Sequence, residues 1–224
     1  MTNSSAEWIN EKIRDNETTA FDWELNELAS ELYWWVDFFN MAFFKDQPAP
    51  SPVLIFENAS VNTLGHYRIG RNDWGVREQI NINRKYLSLP LWRKLSTLLH
   101  EMVHSWEYTY VPHEKRTKGW YHPITFRYKM LEFGIETNSK GQHIGLDPKG
   151  RFVHLLSKHG VNFDEFDSSM LFSDGIIKID PKKGKKKGKS KLKKWSCGCT
   201  NVRVAVADFK ALCLKCGEGF VLVT

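Results

Sequence analysis

The stretch His100-Glu101-Met102-Val103-His104 limits what this chain can be more than any other. Histidines four residues apart on a helix lie one turn apart on the same face, so both imidazoles can reach one metal ion. The glutamate beside the first is placed to take a proton from water at that metal. With 8 His and 15 Glu in 224 residues, one accidental match has a probability of roughly 2%. The flanks agree with a helix. Leu91, Trp92, Leu95, Leu98, Leu99, Met102, Val103 and Trp106 recur at steps of three and four, while His100, Glu101 and His104 fall on the other side. Pro90 suits a first helical turn, and Pro112 marks the latest stop.

Upstream, Phe21 to Phe44 reads as a long aromatic-rich helix, broken by Gln47 to Pro52. Val53 to Phe56, His66 to Trp74 and Glu78 to Tyr86 read as three strands separated by turn residues. Downstream, His122 to Phe133 reads as a second helix ended by Gly134, Asn138 to Gly150 as a loop, and Arg151 to His159 as a short helix. The order predicts an α+β fold: an N-terminal helix, a three-stranded antiparallel sheet, the H-E-x-x-H helix and a following ligand helix, in a zincin-like arrangement.

A catalytic zinc takes three protein ligands and a water. A continuation HExxHxxGxxH would need glycine at position 107 and histidine at 110, where Glu107 and Tyr110 stand. The third-ligand candidates are therefore His122, at the start of the second helix and followed by Pro123, His113 in the intervening loop, and Glu132 or Glu136 farther on. His66, His143, His154 and His159 have no ligand spacing to the motif and read as ordinary. Tyr108, Tyr110 and Tyr121 are close in sequence, but none is singled out as a second oxyanion donor.

Leu98 to His104, then His122-x-x-x-Phe126 and Lys129-Met130, resemble the SprT-like family of zinc metallopeptidases. The resemblance also takes in the segments LGHYRIG (64–70) and ININ (80–83) and the cysteine-bearing C-terminus, so it runs from about Val53 to Phe220. It implies that His122 is the third zinc ligand. The family often has a glycine after that histidine, where Pro123 stands here. It further implies a zinc endopeptidase in which Glu101 is the general base and the substrates are proteins on, or crosslinked to, DNA. Zinc bound by three neutral histidines would bring the pKa of its water toward ~7 and polarise the peptide carbonyl.

All four cysteines lie at Cys197, Cys199, Cys213 and Cys216, and none occurs elsewhere. Such localisation argues for a metal rather than a disulfide framework. Two cysteine turns joined by the alternating Val202 to Val206 predict a zinc ribbon, its zinc structural because four thiolates leave no open position. Between Lys178 and Lys194 stand ten lysines and one aspartate. Of the net +6, this segment contributes +9, so the remainder sums to −3. Lys182, Lys183, Lys185, Lys186, Lys187, Lys189, Lys191, Lys193 and Lys194 read as an unstructured tract making non-specific phosphate contacts.

The predicted organisation is a metallopeptidase domain at 1–177, a lysine-rich linker at 178–194 and a zinc ribbon at 195–224. The chain has no apolar run of 18 residues and no apolar core near its N-terminus. These features predict a soluble intracellular monomer, cytoplasmic or nucleoid-associated, without membrane contact. The alternative is a catalytically inactive, zinc-containing protein that binds nucleic acid.

Overall fold

The computed structural model describes residues 4–70, 72, 75–163, 192–205 and 208–223. The chain divides into two compact units, Met1–Ile177 and Lys178–Thr224. The first is an α+β unit whose elements run α1 (Ser4–Thr19), α2 (Asn26–Phe43), β1 (Val53–Ile55), β2 (Gly65–Arg68), β3 (Gln79–Ile82), α3 (Leu91–Tyr110), α4 (Ile124–Glu132), β4 (Ile135–Thr137), β5 (His143–Leu146) and α5 (Arg151–Lys158). No helix among the described residues is long and apolar enough to cross a membrane.

The apolar stripe of α2 (Ala29, Leu32, Val36, Phe39 and Phe43) and that of α3 (Trp92, Leu95, Leu98, Leu99, Met102 and Val103) share one core with Leu54, Ile80 and Ile82 of the sheet. Their burial fixes α3 by its apolar back and leaves its polar front for the site. The helix expected over 21–44 begins only at Asn26, after a turn at 21–25 that follows α1. Sequence periodicity missed α1, which is held largely by polar contacts. Asn10 donates to the carbonyls of Ser51 and Arg77 at 3.1 and 2.8 Å, and Arg14 pairs with Asp37.

The sheet order is β1-β3-β2, with β2 antiparallel to β3 but β1 parallel to it. The sheet is mixed, which corrects the antiparallel expectation. The reason lies in Asn81 and Asn83, 2% and 0% exposed. Asn81 Oδ1 accepts from Glu57 N at 2.8 Å; Asn83 Oδ1 accepts from Ala59 N at 3.1 Å, and its Nδ2 donates to the Ser60 and Thr63 carbonyls at 3.0 and 2.6 Å. These side chains satisfy the backbone of the β1–β2 connection while it crosses the end of β3. Strand β3 is buried along its whole length, on both faces.

A β4–β5 hairpin stands where a loop was expected at 138–150. Gly134, at φ +89°, turns the chain out of α4, and a Cβ there would come within 2.9 Å of Gly150 Cα. Strands of three and four residues leave too little period to read in advance.

In the second unit, β6 (Lys193–Ser196), β7 (Asn201–Val204) and β8 (Val221–Leu222) form an antiparallel sheet in the order β7-β6-β8. Trp195, Phe209 and Phe220 pack edge to face at 5.7 and 5.9 Å between ring centroids. Lys193 and Lys194, expected in the unstructured tract, belong to β6, paired with Val204 and Arg203. Lys182, Lys183, Lys185, Lys186, Lys187, Lys189 and Lys191 lie outside the described residues.

Tyr33 ties three elements together: its hydroxyl donates to the Glu17 carboxyl and accepts from Leu54 N. Burial lifts the Glu17 carboxyl from the ordinary 4.5 to about 7, against the lowering effect of Tyr33. The folded value stands above the unfolded one, so this contribution to stability is complete below about 4.5 and is lost as pH rises through about 7. Thermal melts of the wild type should therefore show a component that declines over that window. Glu17→Gln should remove it; equal slopes for both proteins would refute the assignment.

Candidate metal centre

Helix α3 places His100 and His104 one turn apart, and their Nε2 atoms lie 3.2 Å from each other. His122 comes from the connection ahead of α4, not from the helix itself, which starts two residues later at Ile124 behind Pro123. That corrects the expected helix start. The backbone N of His122 donates to the Ser139 carbonyl at 2.8 Å, and its Nε2 lies 3.0 Å from His104 Nε2. One ligand atom from each of the three histidines falls within 4.8 Å of the others. Phe126, fully buried, lies 4.8, 4.5 and 4.7 Å from the three imidazole centroids.

This geometry suits a shared ion. Two imidazole nitrogens at ~2.0–2.1 Å from one tetrahedral metal are about 3.3–3.4 Å apart. The electrostatics suit it as well. Burial, then His104, holds His100 well below its ordinary range and His122 down to about 4. Both rings are neutral at physiological pH, the state in which a nitrogen lone pair is free for a metal.

The outer contacts orient the rings. The Nδ1 of His122 donates to the Trp120 carbonyl at 3.2 Å, which leaves Nε2 for the shared point. His104 Nδ1 lies 3.8 Å from Glu107 Oε2. Glu107 is buried, and the same oxygen accepts from Thr117 N at 2.9 Å. His100 Nδ1 lies 3.3 Å from His143 Nε2. His143 is therefore part of this centre, which corrects its reading as ordinary. Burial holds it down to about 3, so it meets His100 as a neutral ring. No spacing in the sequence could have found it, because β5 carries it in from 43 residues away. Gly141 was missed for the same reason. At φ +75°, it packs so close that a Cβ would stand 2.4–2.7 Å from the His122 ring atoms.

Other candidates fall elsewhere. Glu132 pairs with Lys129 and Arg151, Glu136 is exposed on β4, and His113 is an exposed residue on the cleft wall. His66 lies on β2 and lines the cleft, His154 is exposed on α5, and His159 packs against Trp34, Trp35 and Phe38. Of the three tyrosines, Tyr110 donates to the Pro48 carbonyl, Tyr121 is half exposed, and Tyr108 lines the cleft under the Arg116 guanidinium.

The histidines open onto a cleft of about 860 Å³ between β2, the polar face of α3, the 116–120 segment and the 140–143 turn. Glu101 lines it, 5% exposed, and burial lifts its carboxyl to about 7 against the opposing effects of His104 and the Tyr67 backbone. Gly65 makes room: a Cβ there would come 2.7 Å from Thr97 Cγ2, 2.9 Å from Asn81 O and 3.4 Å from Glu101 Cγ.

The second unit has its own cluster. Cys199 Sγ lies 3.4, 3.6 and 3.4 Å from the sulfurs of Cys197, Cys213 and Cys216, and all four are free thiols. A common tetrahedral ion at ~2.3 Å sets sulfurs about 3.8 Å apart. Backbone N–H groups, first that of Cys216 and then that of Lys215, hold the Cys213 thiol down to about 6. The four cysteines could hold a second metal ion.

No protein-family model, curated protein or solved structure matches this chain.

With two such sites, the wild type should carry two metal ions per chain and His122→Ala about one. Gly141→Ala, which drives a methyl into the His122 ring, should weaken the histidine site roughly 10–100-fold while the cysteine site keeps its ion. Elemental analysis after graded chelation reads both, and unchanged metal content in both variants would contradict the ligand set.

Proposed function

We propose that this chain is a zinc-dependent endopeptidase of the SprT-like kind, acting on proteins held on DNA. The observation that carries the reading is the convergence of three imidazoles beside a buried carboxyl, inside a cleft of about 860 Å³. Nitrogen donors without a carboxylate among them favour zinc over magnesium or calcium, and four thiolates favour zinc again in the second unit. Bound zinc would supply a Lewis acid for the peptide carbonyl and bring its water within reach of deprotonation at neutral pH.

The chain's own residues do the rest. Glu101, with a carboxyl value near 7, is matched to accept a proton from the attacking water and return it to the departing amine. His143 and Trp120 hold the rings of His100 and His122 from behind, with Glu107 3.8 Å from that of His104, so the site is preorganised. The fold around β2 keeps Glu101 close to the cleft without filling it.

The DNA part of the reading rests on charge. Ten lysines between 178 and 194 form one dense basic segment beside the cysteine unit, on a chain whose remainder is mildly acidic. Lysines of this kind bind phosphates without sequence preference and would raise the local concentration of enzyme near DNA-held proteins. The ion in the cysteine cluster would staple a unit too small to fold by apolar burial alone.

Glu101→Gln should abolish cleavage of a DNA-bound protein, by at least about 100-fold, while leaving metal content and DNA affinity as in the wild type. That same variant should lose DNA affinity steeply between 50 and 200 mM salt, by ~10³-fold or more if six phosphates are neutralised. Equal cleavage by wild type and variant would remove Glu101 from the chemistry. No cleavage by the wild type, with DNA binding retained, would leave an inactive nucleic-acid-binding protein.

A further inference from the structure

We propose that Arg93 is an anion-binding subsite in the cleft, receiving an acidic side chain of the peptide substrate about three residues from the bond that is cut. The inference rests on the endopeptidase reading and adds a specificity to it.

Arg93, Thr97, His100 and His104 follow one another along the cleft-facing side of α3. Arg93 is 5% exposed, yet it lines the cleft. Burial lowers its pKa, to about 10, and no carboxylate among the described residues acts to raise it. It therefore remains a cation at neutral pH. Among the described residues, none of the ion pairs within 4.0 Å involves Arg93. A buried guanidinium without a counter-ion is an expensive group to keep.

Its side-chain contact with His143 does not meet the need. Arg93 Nη1 lies 3.4 Å from His143 Nδ1. Moreover, for His100 to offer Nε2 to a metal, its Nδ1 must carry the proton and donate to His143 Nε2. The neutral His143 then carries its own proton on Nδ1, so two donors face each other. In the metal-binding tautomer, Arg93 has no acceptor there.

The backbone adds to the imbalance. Arg93 is the third residue of α3, at the positive end of the helix dipole, and the capping residue Pro90 offers no side-chain bond. One anion would answer the guanidinium. A single fork of N–H donors matches a single carboxylate, which it can bind with two parallel bonds. Seven residues of helix place Arg93 about 10 Å along the axis from His100. An extended peptide covers that span in about three residues.

One competing anion is in the chain itself. Phe163 stacks on Trp92 at 5.9 Å between centroids, and Asp164 and Glu165 follow it in sequence, outside the described residues. The test includes both.

Peptides with one Asp or Glu walked through the three positions on either side of the cut, each paired with its Asn or Gln counterpart, give the measurement. Cleavage is followed with zinc-loaded wild type and Arg93→Met. Binding of the same peptides is followed by fluorescence anisotropy with zinc-loaded Glu101→Gln protein, alone and combined with Arg93→Met. The expected result is an acidic-over-amide preference of about tenfold at one register, in kcat/KM and in affinity, falling to about one when Arg93 is replaced. Absence of a preference in both assays overturns the proposal. So does an equal loss of rate on every peptide with the ratio kept, which would make Arg93 a positioning residue for His143. A third overturning result is that Asp164→Asn with Glu165→Gln lowers thermal stability non-additively with Arg93→Met, which would mark an internal ion pair. Binding preference without any turnover would keep the subsite and retire the peptidase.

Discussion

An imidazolium is costly to bury, and His100 and His122 stay neutral for that reason. At this centre the rings of His100, His104 and His122 surround the fully buried Phe126, with their Nε2 atoms turned toward one another. Neutral nitrogens at such separations crowd their lone pairs, and a shared cation relieves the crowding. The architecture is arranged to hold that crowding in place: the apolar back of α3 sits in the core with α2 and the sheet, the 120–122 turn fixes one ring through Trp120, and β5 brings His143 up behind another. The same burial that keeps His100 and His122 neutral also lifts Glu101 toward neutrality, so two ligands and the carboxyl are tuned by one cause.

What could be read in advance follows the length scale of each signal. The spacing of His100 and His104 is local, within one turn, and the amphipathic pattern around it spans five turns, so α3 was legible almost to its ends. The four cysteines were equally clear because they fall within twenty residues. His122 was reachable as one of several candidates, and geometry alone now separates it from His113, Glu132 and Glu136.

The features that escaped depend on long-range contacts. His143 and Gly141 matter only because the β4–β5 hairpin folds back against the 120–122 turn, and no periodicity announces a pair of strands that short. The direction of β1 was set by Asn81 and Asn83, whose side chains occupy positions that alternation assigns to solvent. Helix α1 had little apolar stripe to display, since Asn10, Arg14 and Glu17 anchor it through polar contacts. At Asn10, Asn81, Asn83 and His143, a buried polar group with a partner far away in sequence overrode the hydrophobic pattern.

Anomalous diffraction at the zinc edge from crystals of the zinc-loaded protein tests the central claim most directly. The account predicts a peak ~2.0–2.1 Å from the Nε2 atoms of His100, His104 and His122, with a solvent molecule as the remaining ligand beside Glu101. A peak completed by a fourth protein side chain, or one that leaves His122 turned away, would contradict it.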